Sequence, residues 1–143
     1  MGFRGSQPAI LDLLGGQIAA VSAPVGEFLP HLQGGKLRVL ATSGATRNKF
    51  VPGVSTLVEQ GLQDMVYGEW FGFFLPGKAP AEVVQKANAA IRAALADKDV
   101  VAGLAAMGLE ARSSSPAELA ALLKADGEKW GPIVKAIGFT AES

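Results

Sequence analysis

The chain has 143 residues, with thirteen basic and thirteen acidic residues, no cysteine, and apolar residues at 49%. Zero net charge and the absence of any Lys/Arg run set aside a nucleic-acid or anionic-membrane binder, which needs a basic excess or stripe. The missing cysteines exclude disulfides, thiol nucleophiles and zinc-thiolate sites, and a mean hydropathy of +0.28 excludes disorder.

In chain order, MGFRGSQPAI lacks the apolar core of a secretory signal, so no export address is expected in the chain as written. Met1-Gly2 with Ser6 fits a loose myristoylation pattern, but the segment reads better as a loop entering a helix. Ser6 is placed to cap a helix over Gln7–Leu14, with Ile10, Leu13 and Leu14 on one face and Gly15-Gly16 as its stop. Ile18–Ser22 reads as a short apolar strand. Pro24–Gln33 reads as a second helix with Val25, Phe28, Leu29 and Leu32 inward and Pro30 bending it. Leu37–Thr42 is apolar almost throughout, as a strand covered on both faces would be. Strand, helix and strand at this spacing predict a βαβ unit.

Thr56-x-x-Glu59 is a capping box opening a short helix that ends at Gly61, and Val66–Leu75 is an aromatic, strand-like run. After Pro76 the character turns helical. Val84, Ala87, Ile91 and Leu95 recur at helical spacing after Pro80, and a second short helix runs through Leu104. A short strand is expected near Leu109–Arg112. Ser115-Pro116-Ala117-Glu118 is a strong helix start, and Gly131-Pro132 is expected to kink or split the helix that follows.

The ordered segments FRGSQPA, DLLGGQI, LPHLQGGKLRVLATS, VPGVSTLVEQGL, EWFGFFLPGKAP, NAAIRAAL, MGLEARSSSPAEL and KWGPIVKAIG resemble the substrate-binding proteins of tripartite tricarboxylate transporters, the Bug (TctC-like) family. The likeness spans essentially the whole chain. It implies an α/β fold of the type II periplasmic binding protein kind: two lobes around a cleft, in proteins roughly twice this length, within ordinary two-lobe domain sizes. This chain would then be the C-terminal part. Residues 1–69 would form the α/β portion of the second lobe, 70–78 the crossover strand and hinge, and 79–143 helices returning to a mostly missing first lobe. The family is periplasmic and hands its solute to membrane permease subunits, so those are the implied partners; no cofactor and no chemistry are implied. One departure concerns the helix after Pro80: where the family commonly has a hydroxyl residue, this chain has Ala79.

Ligands of open α/β sheets sit at strand ends against helix N-termini, whose free N–H groups and dipole favour anions. Three loops qualify: Arg4-Gly5-Ser6 before the first helix, which the resemblance marks as the second lobe's ligand loop; Ser22-Ala23 before the second; and Thr42-Ser43 after the second strand. Trp70 joins them because the family places it near the cleft. Each has a plainer reading. Ser6 serves equally as a helix cap, Arg4 as a surface charge, and Trp70 as hinge packing. Arg47 is expected in a structural salt bridge and His31 as a partly exposed helix residue. An enzyme fails on inventory, since one His, no Cys and scattered Glu27, Glu59 and Glu69 provide no nucleophile–base pair. The resemblance, together with these anion-favouring helix N-termini, implies a small carboxylate-bearing solute as the ligand. The competing expectation is a truncated module that binds no solute alone and associates through the surface its missing lobe would cover.

Overall fold

The structure is a computed structural model that describes residues 3–140. Met1, Gly2 and residues 141–143, the outermost parts of the expected first and last segments, lie outside the described residues. Five helices occur in order: α1 (Ser6–Leu14), α2 (Val25–Leu32), α3 (Ala81–Ala94), α4 (Lys98–Ala106) and α5 (Pro116–Ala136). The chain separates into two compact units, one of residues 1–71 with 101–110, the other of 72–100 with 111–143; α4 passes from the second into the first.

In the first unit α1 packs on α2. Ile10 and Ala9 of α1, Phe28 of α2, and Val51 and Thr56 of the following loops are its buried side chains. Full burial of Ile10 is worth about 1.5–3 kcal/mol, and the nearly complete burial of Phe28 is of the same order. The N-cap of α1 is Gly5, not Ser6, and no side chain caps that end. Gly5 has φ +88°, a conformation that side chains bearing a Cβ resist, so glycine suits the entry to α1. α2 keeps Pro30 within it and, like α1, has no side-chain cap.

The expected strands do not form ladders among the described residues. Ile18–Ser22, Leu37–Thr42, Val66–Leu75 and Leu109–Arg112 run as extended or bent chain. Only a lone parallel bridge, Thr42 to Thr56, pairs any of them. A strand is defined by its neighbour's N–H and C=O groups, and apolar character alone supplies no neighbour. The Thr56 capping box does form: the Thr56 N–H donates to Glu59 Oε2 at 2.7 Å and the Glu59 N–H to Thr56 Oγ1 at 3.1 Å. It closes hydrogen-bonded turns rather than a helix, because the chain reaches Gly61 before a second turn can propagate.

In the second unit α3 packs on α5, and Val84, Ala87, Asn88, Ile91 and Leu95 form the half-buried face of α3, at the spacing read from the sequence. Asn88 Nδ2 donates to the Ser114 carbonyl at 2.8 Å, tying α3 to the loop that leads into α5. α3 begins without a side-chain cap, as the Ala79-Pro80 junction leads one to expect. α5 opens on a full capping box between Ser115 and Glu118, with Pro116 in its first position. It then runs unbroken for 21 residues through Gly131 and Pro132. Of the expected kink or split, the split does not occur. Pro132 removes one N–H donor, and that acceptor, the Glu128 carbonyl, belongs to an exposed turn where water can replace the lost bond.

Candidate functional site

Six of the eight sequence-derived site residues lie in loops of the first unit around the starts of α1 and α2 and the Thr42 bridge; Ser6 opens α1, and Trp70 sits near the end of that unit. The structure joins the first two loops through one carboxylate. Ser6 Oγ donates to Glu27 Oε1 at 2.6 Å, and Gln7 Nε2 donates to Glu27 Oε2 at 3.2 Å. Glu27 lies in the first turn of α2, so an acid rests against the N-terminal ends of two helices, where both dipoles favour negative charge. Ser6 is therefore neither a cap nor an empty donor: its hydroxyl is engaged by an internal anion. Arg4 and Ser22 are exposed beside it, and Ala23 is half-buried.

Thr42 and Ser43 are held by a different set of bonds. The Thr42 N–H donates to the Ser55 carbonyl at 3.1 Å and the Leu57 N–H to the Thr42 carbonyl at 2.8 Å, while the Tyr67 N–H donates to the Ser43 carbonyl at 2.9 Å. Gln60 Nε2 reinforces the same crossing by donating to the Leu40 carbonyl at 2.9 Å and Ser55 Oγ at 2.8 Å. With the backbone so committed, the Thr42 hydroxyl is left buried without a hydrogen-bond partner among the described residues. Such a group carries a desolvation cost of about 1–3 kcal/mol until something polar meets it.

Arg47, expected in a salt bridge, makes one. Its Nε donates to both Glu59 carboxylate oxygens at 2.9 and 3.0 Å, and Nη1 reaches the Pro52 carbonyl. The Arg47 hydrogen bond and the Thr56 N–H together hold the Glu59 carboxyl below its ordinary value, and the Arg47 guanidinium is raised in turn. The pair braces the loop and is thereby withdrawn from ligand duty. His31, in the last turn of α2, is half-buried as expected. Trp70 is half-buried at the end of the first unit. Among the described residues no group of three or more His, Asp or Glu is placed to hold a metal.

Two functional candidates escaped sequence reasoning. Gln7 reads as an ordinary helix residue, and Glu27 lies twenty-one positions from Ser6 with no local spacing to link them. The one available signal was an acid in the first turn of a helix preceded by a candidate ligand loop.

These elements define a class. The chain aligns over 94–96% of its length with solved periplasmic binding proteins at TM-scores of 0.77–0.84, covering 45–47% of those chains. Among them are MatC from Rhodopseudomonas palustris with bound malate, 31% identical at a TM-score of 0.82, and an R. palustris protein with adipate, 25% identical at 0.83. The protein belongs to the tripartite tricarboxylate transporter family receptors, whose family model matches residues 1–139. It is 31% identical to Protein BugT of Bordetella pertussis over 136 residues, 95% of this chain and 42% of that one. It is 32% identical to a protein of the tcbD-tcbE intergenic region of a Pseudomonas species, of which it covers 40%. The chain thus spans about two fifths of the length of these relatives. The family is one of transport receptors rather than enzymes, and no helix among the described residues is long and apolar enough to cross a membrane.

Proposed function

We propose that this chain forms part of a periplasmic solute receptor that captures a small carboxylate-bearing solute for the permease subunits of a tripartite tricarboxylate-type transporter. The observation that carries the reading is the buried, unpartnered Thr42 hydroxyl in a loop that the sequence offers as a candidate ligand loop. A native fold tolerates such a group where a ligand completes it. Malate and adipate in two structural relatives support the choice of carboxylate. In this reading the first-turn N–H groups of α1, Arg4 and the Thr42 hydroxyl supply donors, Ser22, Ala23 and Ser43 shape the loops beside them, and Trp70 lies at the rim. Closure of a second lobe would remove the solute from water.

Titration calorimetry of the chain with malate and adipate tests this. Saturable binding by either, weakened in Thr42→Val, is the expected result. Absence of binding by both, or binding indifferent to Thr42 and Arg4 substitutions, would refute the site.

A further inference from the structure

Glu27 is an odd neighbour for an anion site. Its carboxylate takes a hydrogen bond from Ser6 Oγ at 2.6 Å and one from Gln7 Nε2 at 3.2 Å. It therefore touches the same helix entrance that is proposed to receive a solute carboxylate. It also stands in the first turn of α2, just after the Ser22-Ala23 loop. The two candidate loops that lead into α1 and α2 thus meet on one acid, and that acid is half-buried. Among the described residues no Lys, Arg or His forms an ion pair with it. Two neutral donors and the helix dipoles offset its charge, and no cation does.

Arg4 shares the loop with Ser6, is exposed, and likewise has no ion-pair partner among the described residues. A cation and an anion are thus kept at one helix entrance without neutralising each other. Glu27 also has acceptor capacity to spare. Each of its oxygens accepts one of the two bonds, whereas a carboxylate offers about four acceptor positions in all.

A solute meets this arrangement according to its charges. One carboxylate can go to Arg4 and the free N–H groups of α1. A second carboxylate brought toward Glu27 sets like charges close together with no cation between them. An amide or ammonium in the same place donates to a free Glu27 lone pair instead, and an ammonium also pairs with its charge. Such a site discriminates by what it rejects as much as by what it accepts. We infer that Glu27 is the specificity-determining residue of the site: it selects a solute with a single carboxylate and a hydrogen-bond donor, amide or ammonium, at its other end, and disfavours dicarboxylates. The selection presupposes that this chain binds a carboxylate solute. It leaves malate and adipate, found in two structural relatives, as the weaker ligands here.

Titration calorimetry of the 143-residue chain with adipate, adipate monoamide and 6-aminohexanoate tests the selection, because the three share one carbon-chain length and differ at one end. The wild type is expected to bind the monoamide and 6-aminohexanoate about tenfold more tightly than adipate, with the margin shrinking as salt rises. Glu27→Gln keeps an acceptor for Ser6 and the side-chain length. It should erase the margin by strengthening adipate and weakening 6-aminohexanoate. The wild-type ratio is a test by itself, so the outcome does not hang on the variant folding. Adipate binding as tightly as both other ligands would overturn the selection while leaving solute binding in place. A margin untouched by Glu27→Gln, in a variant of unchanged circular dichroism, would do the same. Binding of none of the three by the wild type would overturn solute binding itself, and the selection with it.

Discussion

Gly26 and Gly108 meet backbone against backbone: a Cβ on Gly108 would strike the Gly26 Cα, and one on Gly26 would strike the Met107 carbonyl. The contact sets the first turn of α2 directly on the chain that leaves α4, and Leu29 closes over it. Gly108 also has φ +70°, so it meets both a steric and a conformational demand for glycine.

Gly26→Ala is therefore expected to destabilise the first unit by about 2 kcal/mol or more, because the atoms in the way are backbone and cannot rotate aside. Gly108→Ala adds the left-handed cost of about 1–2 kcal/mol to the same clash. Gly53→Ala, with open space around it, serves as the control. Urea midpoints at constant slope would measure all three.

Thr42→Val should move stability and binding in opposite directions. Removing a buried hydroxyl that has no partner relieves its desolvation cost and is expected to stabilise the unliganded chain by about 1 kcal/mol. The same change deletes a donor for the solute and should weaken malate binding by roughly two- to tenfold, the worth of one neutral hydrogen bond. A thermal melt with and without malate reads both. If Thr42→Val destabilises, the hydroxyl already has a partner and the loop loses its special status.

How much was legible in the sequence follows the range of the interactions involved. The Ser115 and Thr56 capping boxes and the absence of a cap at Pro80 lie within about one turn of chain, the apolar stripe of α3 follows the helical period, and all were readable; the Arg47 salt bridge was readable as a role, while its partner Glu59, twelve residues on, was not. The strands were misread because an apolar run such as Leu37–Thr42 says nothing of which N–H and C=O groups would pair with it, and among the described residues only the Thr42–Thr56 bridge forms. Gly131-Pro132 does not split α5, because a helix-breaking signal gives no account of solvent at the affected turn. The Ser6–Glu27 contact, across twenty-one residues, and the Gly26–Gly108 crossing exist only once α1, α2 and α4 are packed.

The capping boxes make stability acid-sensitive with a definite sign. Glu59 is held below its ordinary 4.5 chiefly by the Arg47 hydrogen bond and then by the Thr56 N–H. Glu118 is held below 4.5 chiefly by the Ser115 N–H. A carboxyl with a lowered folded value stabilises fully above its unfolded value and loses that contribution as pH falls through the folded one. Stability should therefore fall below pH 4.5, the ordinary value of both groups. Glu59→Gln and Glu118→Gln should each flatten that fall while lowering stability at neutral pH. Urea midpoints across the acid range would show it, and both carboxyls are solvent-exposed, so salt should weaken the effect at Glu59 most, where an ion pair contributes.

Glu27 gives the sharpest test of where the solute carboxylate lies. Its carboxylate takes the Ser6 hydroxyl and the Gln7 amide at the end of α1, the donors a solute anion would seek. Two carboxylates a few ångströms apart repel by roughly 2–4 kcal/mol at a surface-like effective dielectric. Glu27→Gln removes that repulsion and keeps the side-chain length, so a dicarboxylate held at α1 should bind at least tenfold more tightly. Ser6→Ala works differently, since it breaks the α1–α2 tie and should cost about 1.5–3 kcal/mol of stability as a hydrogen bond to a charged group. Calorimetry with malate on both variants separates the two roles. Affinity unchanged in Glu27→Gln would move the carboxylate away from α1 and leave Thr42 as the anchor of the site.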